Sequence, residues 1–232
     1  MGIFNDDTKP YWPLIPILIL LTGLMVWMNS YMPPADLAPY GYSSVILAFE
    51  FILNSTDLET VLSPLSATQV AGLDMVNYID FAYMVVYSAL LAGVFYITWR
   101  KEGLNFLKLG MALAACALFS DLFENFQLLD LTKMYTSSTI DGVESVISNL
   151  FIFTWLKWGA LAIAMAILVP VLIKRGLFSK VIAFVLAIPV VILVVAAITQ
   201  SPSIIDKFAT TIIFGFLALA IYIIAYRTPQ QH

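Results

Sequence analysis

Charge is what this chain has least of: only 11% of its 232 residues are Asp, Glu, Lys or Arg, where a soluble globular chain carries about 25%. That scarcity excludes an ordinary soluble domain. The charges present sum to −4 and include no block of basic residues, which argues against nucleic acid as a partner and against strong attraction to anionic lipid. Cysteine occurs once, as Cys116, so no intramolecular disulfide can form. Histidine also occurs once, as His232, which argues against haem, zinc and copper centres of the usual kinds, and no cofactor or metal is expected. A G-x-S-x-G nucleophile elbow is missing too, so the residues name no reaction.

Apolar residues take the place of charge, at 61% of the chain with a mean hydropathy of +0.93. This predicts an all-α integral membrane protein forming a single membrane domain. At ~20 apolar residues per crossing, six spans are expected, at about 11–32, 78–99, 104–128, 147–173, 177–199 and 204–226. The first run is longer than a signal-peptide core and lacks a small-x-small cleavage site, so it is expected to be retained. Asp6 stands where a myristoylation signal needs Ser or Thr.

Basic residues set the orientation. Lys9, Arg100, Lys101, Lys108, Lys174, Arg175, Lys180 and Arg227 fall on one side of this layout, Lys133 and Lys207 on the other, and Lys157 within a span. Both termini are therefore expected to be cytoplasmic. Tyr11, Trp12, Trp99, Tyr222 and Tyr226 read as an aromatic belt at the inner ends, and Trp27, Tyr31, Tyr78, Trp155 and Trp158 as one toward the outer ends. Pro189 is expected to kink the fifth span.

Residues 33–77 form the only sizeable loop and contain acids but no Lys or Arg. Within it, residues 45–53 are apolar but too short to cross, and read as an interfacial or re-entrant helix with Glu50 kept toward water or a polar partner. Thr56 with Glu59, and Ser66 with Gln69, have capping-box spacing, and the second box predicts that the next helix starts near Ala67.

The third span holds the most unusual stretch, Asp121-Leu122-Phe123-Glu124-Asn125. At ~100° per residue, Asp121, Glu124 and Asn125 project from one face. Charges there cost ~2.5–3.5 kcal/mol each at mid-bilayer, so they face protein or water and mark a site or a structural partner. At ~1.5 Å per residue, Asp80 lies ~29 Å above Trp99, Glu124 ~24 Å above Lys108 and Lys157 ~26 Å above Lys174. Asp80, Asp121, Glu124 and Lys157 thus share one layer, and Tyr83 and Tyr87 follow Asp80 down its helix. Small residues such as Gly110, Ala114, Ala117, Ala160 and Ala164 permit the close helix packing this requires.

Phe49-Glu50-Phe51, Ile79-Asp80-Phe81 with Tyr87, Asp121-Leu122-Phe123-Glu124-Asn125 and Lys157 together resemble an uncharacterised family of small polytopic bacterial membrane proteins. That family carries an F-E near an outer loop, an L-D-F opening a helix, a D-x-x-E-N and a lysine in the next span. The resemblance covers about residues 45–165; it implies a multi-pass protein of the bacterial cytoplasmic membrane and brings no activity.

Three functions fit these residues. Asp80, Tyr83, Tyr87, Asp121, Glu124, Asn125 and Lys157 could line a pocket in the outer leaflet half that binds or processes a lipid or amphiphilic small molecule. The network could instead only fix helix packing in an accessory subunit, with a second copy or another membrane protein as partner. A proton- or cation-coupled transporter is the third, weakened by the lack of charge in the inner halves of the spans. For the orientation, a reporter active only outside the cytoplasm is expected to work when fused after Ser55 or Lys133 and to be silent at His232; activity at His232 would contradict the layout.

Overall fold

The computed structural model describes residues 9–139 and 141–227. Among these, eight α-helices and three short 3-10 turns account for the regular structure, with no strand. Buried in lipid, a backbone must satisfy its polar groups internally, and for an apolar chain of this kind helices do so. A 3-10 turn at Trp12–Leu14, entered through Pro13, leads into α1 (Ile15–Asn29). Two short helices follow, α2 (Val45–Glu50) and α3 (Ser55–Leu62), and then the long helices α4 (Ala67–Glu102), α5 (Leu107–Thr136), α6 (Val143–Leu172), α7 (Leu177–Thr199) and α8 (Pro202–Ala225).

Five of these, α1 with its leading turn, α4, α6, α7 and α8, are long and apolar enough to cross a membrane. The protein is a multi-pass, all-α membrane protein. The third expected span, 104–128, overlaps α5, which has 30 residues, packs between α4 and α6 and is not among these five.

Local signals set several boundaries. Ser66 and Gln69 form the expected capping box and α4 starts at Ala67. With 36 residues, α4 extends ~54 Å, well beyond a ~30 Å hydrocarbon layer, and ends at Gly103, whose positive φ of 70° suits a left-handed cap. The other expected box differs: Asn54, not Thr56, caps α3, its side chain accepting from Asp57 N at 3.0 Å. Helix α7 runs unbroken through Pro189.

The long helices form an open ring in the order α1, α4, α5, α6, α7, α8, each packed on the next, while α8 meets α1 only sparingly. The α5–α6 pair is the most extensive. Gly110 of α5 lies against the Phe95 ring of α4, and a Cβ there would overlap that ring; such absences of side chain let helices approach closely.

The two ends of the bundle differ. At the end carrying Arg100 and Arg175, the basic end, Tyr11 and Tyr222 are buried rather than forming a belt. Arg175 donates to both phenol oxygens and pairs with Glu102, and the Tyr11 hydroxyl lies 2.9 Å from Thr98 Oγ1. Hydrogen-bonding ability, not interfacial preference, places these rings inside. At the opposite, loop end, Ser43 N donates to Asp206 at 2.6 Å and Ser55 N to Glu144 at 3.0 Å, tying residues 33–66 onto α8 and α6. Burial, with Asp206 and Asp57 nearby, pushes the Tyr42 phenol in this loop well above its ordinary range, so it stays neutral. In helix α2 Val45, Leu47, Ala48 and Phe49 are all buried, so its apolar side faces the bundle.

The α4–α5 contact can be tested directly. Gly110→Val should destabilise the fold by ~1–3 kcal/mol through overpacking, and a smaller residue at Phe95 (Phe95→Leu) should recover part of that loss. Thermal melts in detergent read both effects; an unchanged melt for Gly110→Val would contradict the close approach.

Candidate functional site

Helix periodicity brings three side chains of α5 to one inward face: Asp121, Glu124 and Asn125 are each buried to within 2% exposure. Opposite them, α6 presents Lys157, 7% exposed, one turn after Thr154. From α4 come Asn77, Asp80, Tyr83 and Tyr87, on one side of that helix, and from the C-terminal end of α2 comes Glu50.

Lys157 is the hub. Its Nζ lies 2.7 Å from Glu124 Oε1, 3.3 Å from Asp121 Oδ1 and 3.3 Å from Glu50 Oε2. Only the Glu124 contact is a hydrogen bond; Asp121 Oδ1 has the ion pair but no hydrogen bond, because its geometry to the ammonium is poor. Around this centre Tyr87 OH donates to Asp121 Oδ2 at 2.7 Å, and Asn125 Nδ2 to Asp80 Oδ2 at 2.6 Å. Trp158 Nε1 donates to Glu50 Oε2 at 3.0 Å, and Thr154 Oγ1 to the Glu50 carbonyl at 3.2 Å. The second oxygen of Glu124 has no hydrogen-bond partner.

The structure thus brings together Asp80, Asp121, Glu124, Asn125, Lys157 and Tyr87 in one network, with Tyr83 beside them, its ring 5.7 Å from that of Tyr87. Asn149, two turns above Lys157, remains exposed and outside it. Two members of the network escaped the sequence reading as site residues. Glu50, expected to face water or a polar partner, is an ion-pair partner of Lys157; the signal was a lone acid inside the apolar run 45–53. Trp158 is no simple belt residue, since its indole hydrogen-bonds Glu50 and its ring centroid lies 5.1 Å from Lys157 Nζ. Asn77, at the end of the 33–77 segment, lies nearly three turns inside α4.

A cavity of about 610 Å³ adjoins the network. Glu50, Asp80, Tyr83, Tyr87, Asp121, Asn125 and Lys157 line it together with apolar side chains such as Met25, Val26, Met28, Met32, Ile213 and Phe216, and with the polar Asn29, Ser43, Ser44, Asn77 and Thr210. Glu124 sits behind this wall. Met25, Val26 and Ile213 are more than half exposed, so the cavity opens sideways at the seam where α1 and α8 barely touch. Its volume falls within the ~300–1,000 Å³ usual for small-molecule sites.

Chemically, four carboxylates face one ammonium, a formal −3 when all are ionised. Uncompensated buried charge is relieved by protons or by a bound cation. No group of three or more His, Cys, Asp or Glu among the described residues is disposed to hold a metal ion. Comparison with protein-family models, curated proteins and solved structures found no match, so the bearing on function comes from this geometry alone.

Breaking the hub should be more harmful than removing it. Lys157→Met leaves buried carboxylates without their cation, a loss of ~3–5 kcal/mol in soluble proteins and smaller in a membrane bundle, where polar contacts average ~0.6 kcal/mol. A neutral set, Lys157→Met with Glu50→Gln, Asp121→Asn and Glu124→Gln, should recover much of that loss. Melts showing the neutral set worse than Lys157→Met alone would contradict the shared-ion description.

Proposed function

We propose that this protein binds an amphiphilic small molecule or lipid in the cavity between α1, α4, α6 and α8, with the polar part of the ligand at the Lys157 network and its apolar part along α1 and α8. The observation that carries this reading is the mixed wall: ionisable and aromatic-hydroxyl groups clustered around Lys157, and methionine and aliphatic side chains of α1 and α8 lining the same cavity, with Met25, Val26 and Ile213 exposed where those helices barely touch. A network serving only to fix packing has no need of a cavity beside it. A soluble ligand has no need of an opening lined by Met25, Val26 and Ile213.

In this reading α5 is a sixth span, its charges turned inward to Lys157, and the basic residues put both termini in the cytoplasm. The cavity then lies in the outer half of the membrane, and a bacterial cytoplasmic membrane is the location that the resemblance described above implies. Membrane lipid covers the exposed faces, α7 with Leu177, Phe184 and Ile198 among them. The Arg175, Tyr11 and Tyr222 contacts close the basic end, which favours binding from the outer side over passage through the bundle.

Native mass spectrometry of the protein extracted in a neutral detergent tests the proposal. A bound amphiphile should accompany the wild type, and Thr210→Trp, which fills the cavity from the half-buried wall of α8, should lower its occupancy roughly tenfold, a ~1.4 kcal/mol effect, with the melt preserved. A wild-type protein that carries no amphiphile and takes up none when supplied would overturn it.

A further inference from the structure

We infer that the ligand of this cavity is a cationic amphiphile: a protonated amine head group, with an oxygen acceptor beside it, on an alkyl tail. The inference rests on the amphiphile reading above and adds the sign and shape of the head group. Three observations carry it.

The first is charge. Three carboxylates, Glu50, Asp80 and Asp121, line the cavity, and the one cation there, Lys157, is already held by Glu124 behind the wall. An arriving anion would meet an acid excess with its only counter-charge engaged, whereas an ammonium would complete the compensation that Lys157 begins. Asp80 is the least compensated of the three, since its only hydrogen bond comes from the neutral amide of Asn125.

The second is the aromatic wall beside these acids, from which Tyr87 OH donates to Asp121. Tyr83, Tyr87 and Phe216 are packed edge to face, with ring centroids 5.7 and 5.9 Å apart, and all three line the cavity. Aromatic faces attract ammonium groups and give nothing comparable to an anion.

The third is Asn77. It is 2% exposed, it lines the cavity, and its Nδ2 has no hydrogen-bond partner. Buried donors left unpaired are rare in native structures, and each calls for a partner. Asn77 precedes Asp80 by three residues, so the two side chains stand on one helix face ~5–6 Å apart. An ammonium on Asp80 therefore leaves Asn77 facing the neighbouring atoms of the head group, where a hydroxyl, ester or phosphoryl oxygen would accept its proton.

Trp158, in the cavity wall, supplies the readout. Its fluorescence should respond to dodecylamine, dodecanol and dodecyl phosphate, titrated in a neutral detergent, with Trp158→Phe identifying its share of the signal. The inference expects dodecylamine to bind at least roughly tenfold more tightly than the other two. It also expects Asp80→Asn, which preserves shape and keeps an acceptor for Asn125, to erase most of that preference by weakening dodecylamine toward the affinity of dodecanol. Lysophosphatidylethanolamine with the same chain separates the sources: binding as tight as dodecylamine puts the ammonium on a phospholipid, and binding tenfold weaker puts it on a free amine. Equal binding of all three dodecyl compounds, or a preference for the phosphate, would overturn the cationic head group and leave the amphiphile reading standing. Binding of none of them would overturn both.

Discussion

A single buried ammonium organises this bundle. Lys157 lies out of water, and an ion so placed is tolerated only where opposite charge and hydrogen bonds surround it. Its partners come from two further elements: Asp121 and Glu124 from α5, and Glu50 from α2. The helix pair α5–α6 is fixed in register by that contact. A six-residue helix too short to span anything is drawn in beside it, held also by Trp158 and Thr154. Without an acid at position 50 the end of α2 would lose its contacts to Lys157 and Trp158 and keep the Thr154 hydrogen bond to its backbone carbonyl.

The bundle is closed at one end and open at the other for related reasons. At the basic end Arg175 finds two phenols and a carboxylate, and the N-terminal turn, α4 and α8 are gathered around it. Toward the loop end Glu50, Asp121 and Glu124 are turned to Lys157 while Asp206 and Glu144 hold the loop, and among the described residues no hydrogen bond or ion pair joins α1 to α8. Apolar surfaces alone do not hold helices together in lipid, where tails solvate them equally well. A lateral opening at that seam is the physical consequence.

Much of this was legible before the structure. The spacing of Asp121, Glu124 and Asn125 states a shared face, and depth arithmetic put Asp80 and Lys157 in the same layer, because helices in a membrane are long, nearly parallel and of known rise. The capping box at Ser66 and Gln69 located the start of α4. Glu50 was not legible as a Lys157 partner, since a short apolar run with one acid is equally at home on a membrane surface, and its burial depends on contacts more than 100 residues away. Tyr11, Tyr222 and Trp158 misled for the same reason. A ring near a span end reads as an interfacial anchor until a distant arginine or glutamate supplies a hydrogen-bond partner. Asn77 carried no signal at all, because an unpaired buried amide is defined by its surroundings.

The central claim is that Lys157, shared among three carboxylates, draws α2 into the bundle beside a ligand cavity open at the α1–α8 seam. An experimental structure at side-chain resolution, of protein extracted with its native lipid, tests that claim most directly. The carboxylates of Glu50, Asp121 and Glu124 should surround the Lys157 ammonium. An elongated ligand should enter between Met25 and Ile213, with its polar end against Asp80. Glu50 on a detached α2 facing water, with α1 and α8 packed shut, would contradict it.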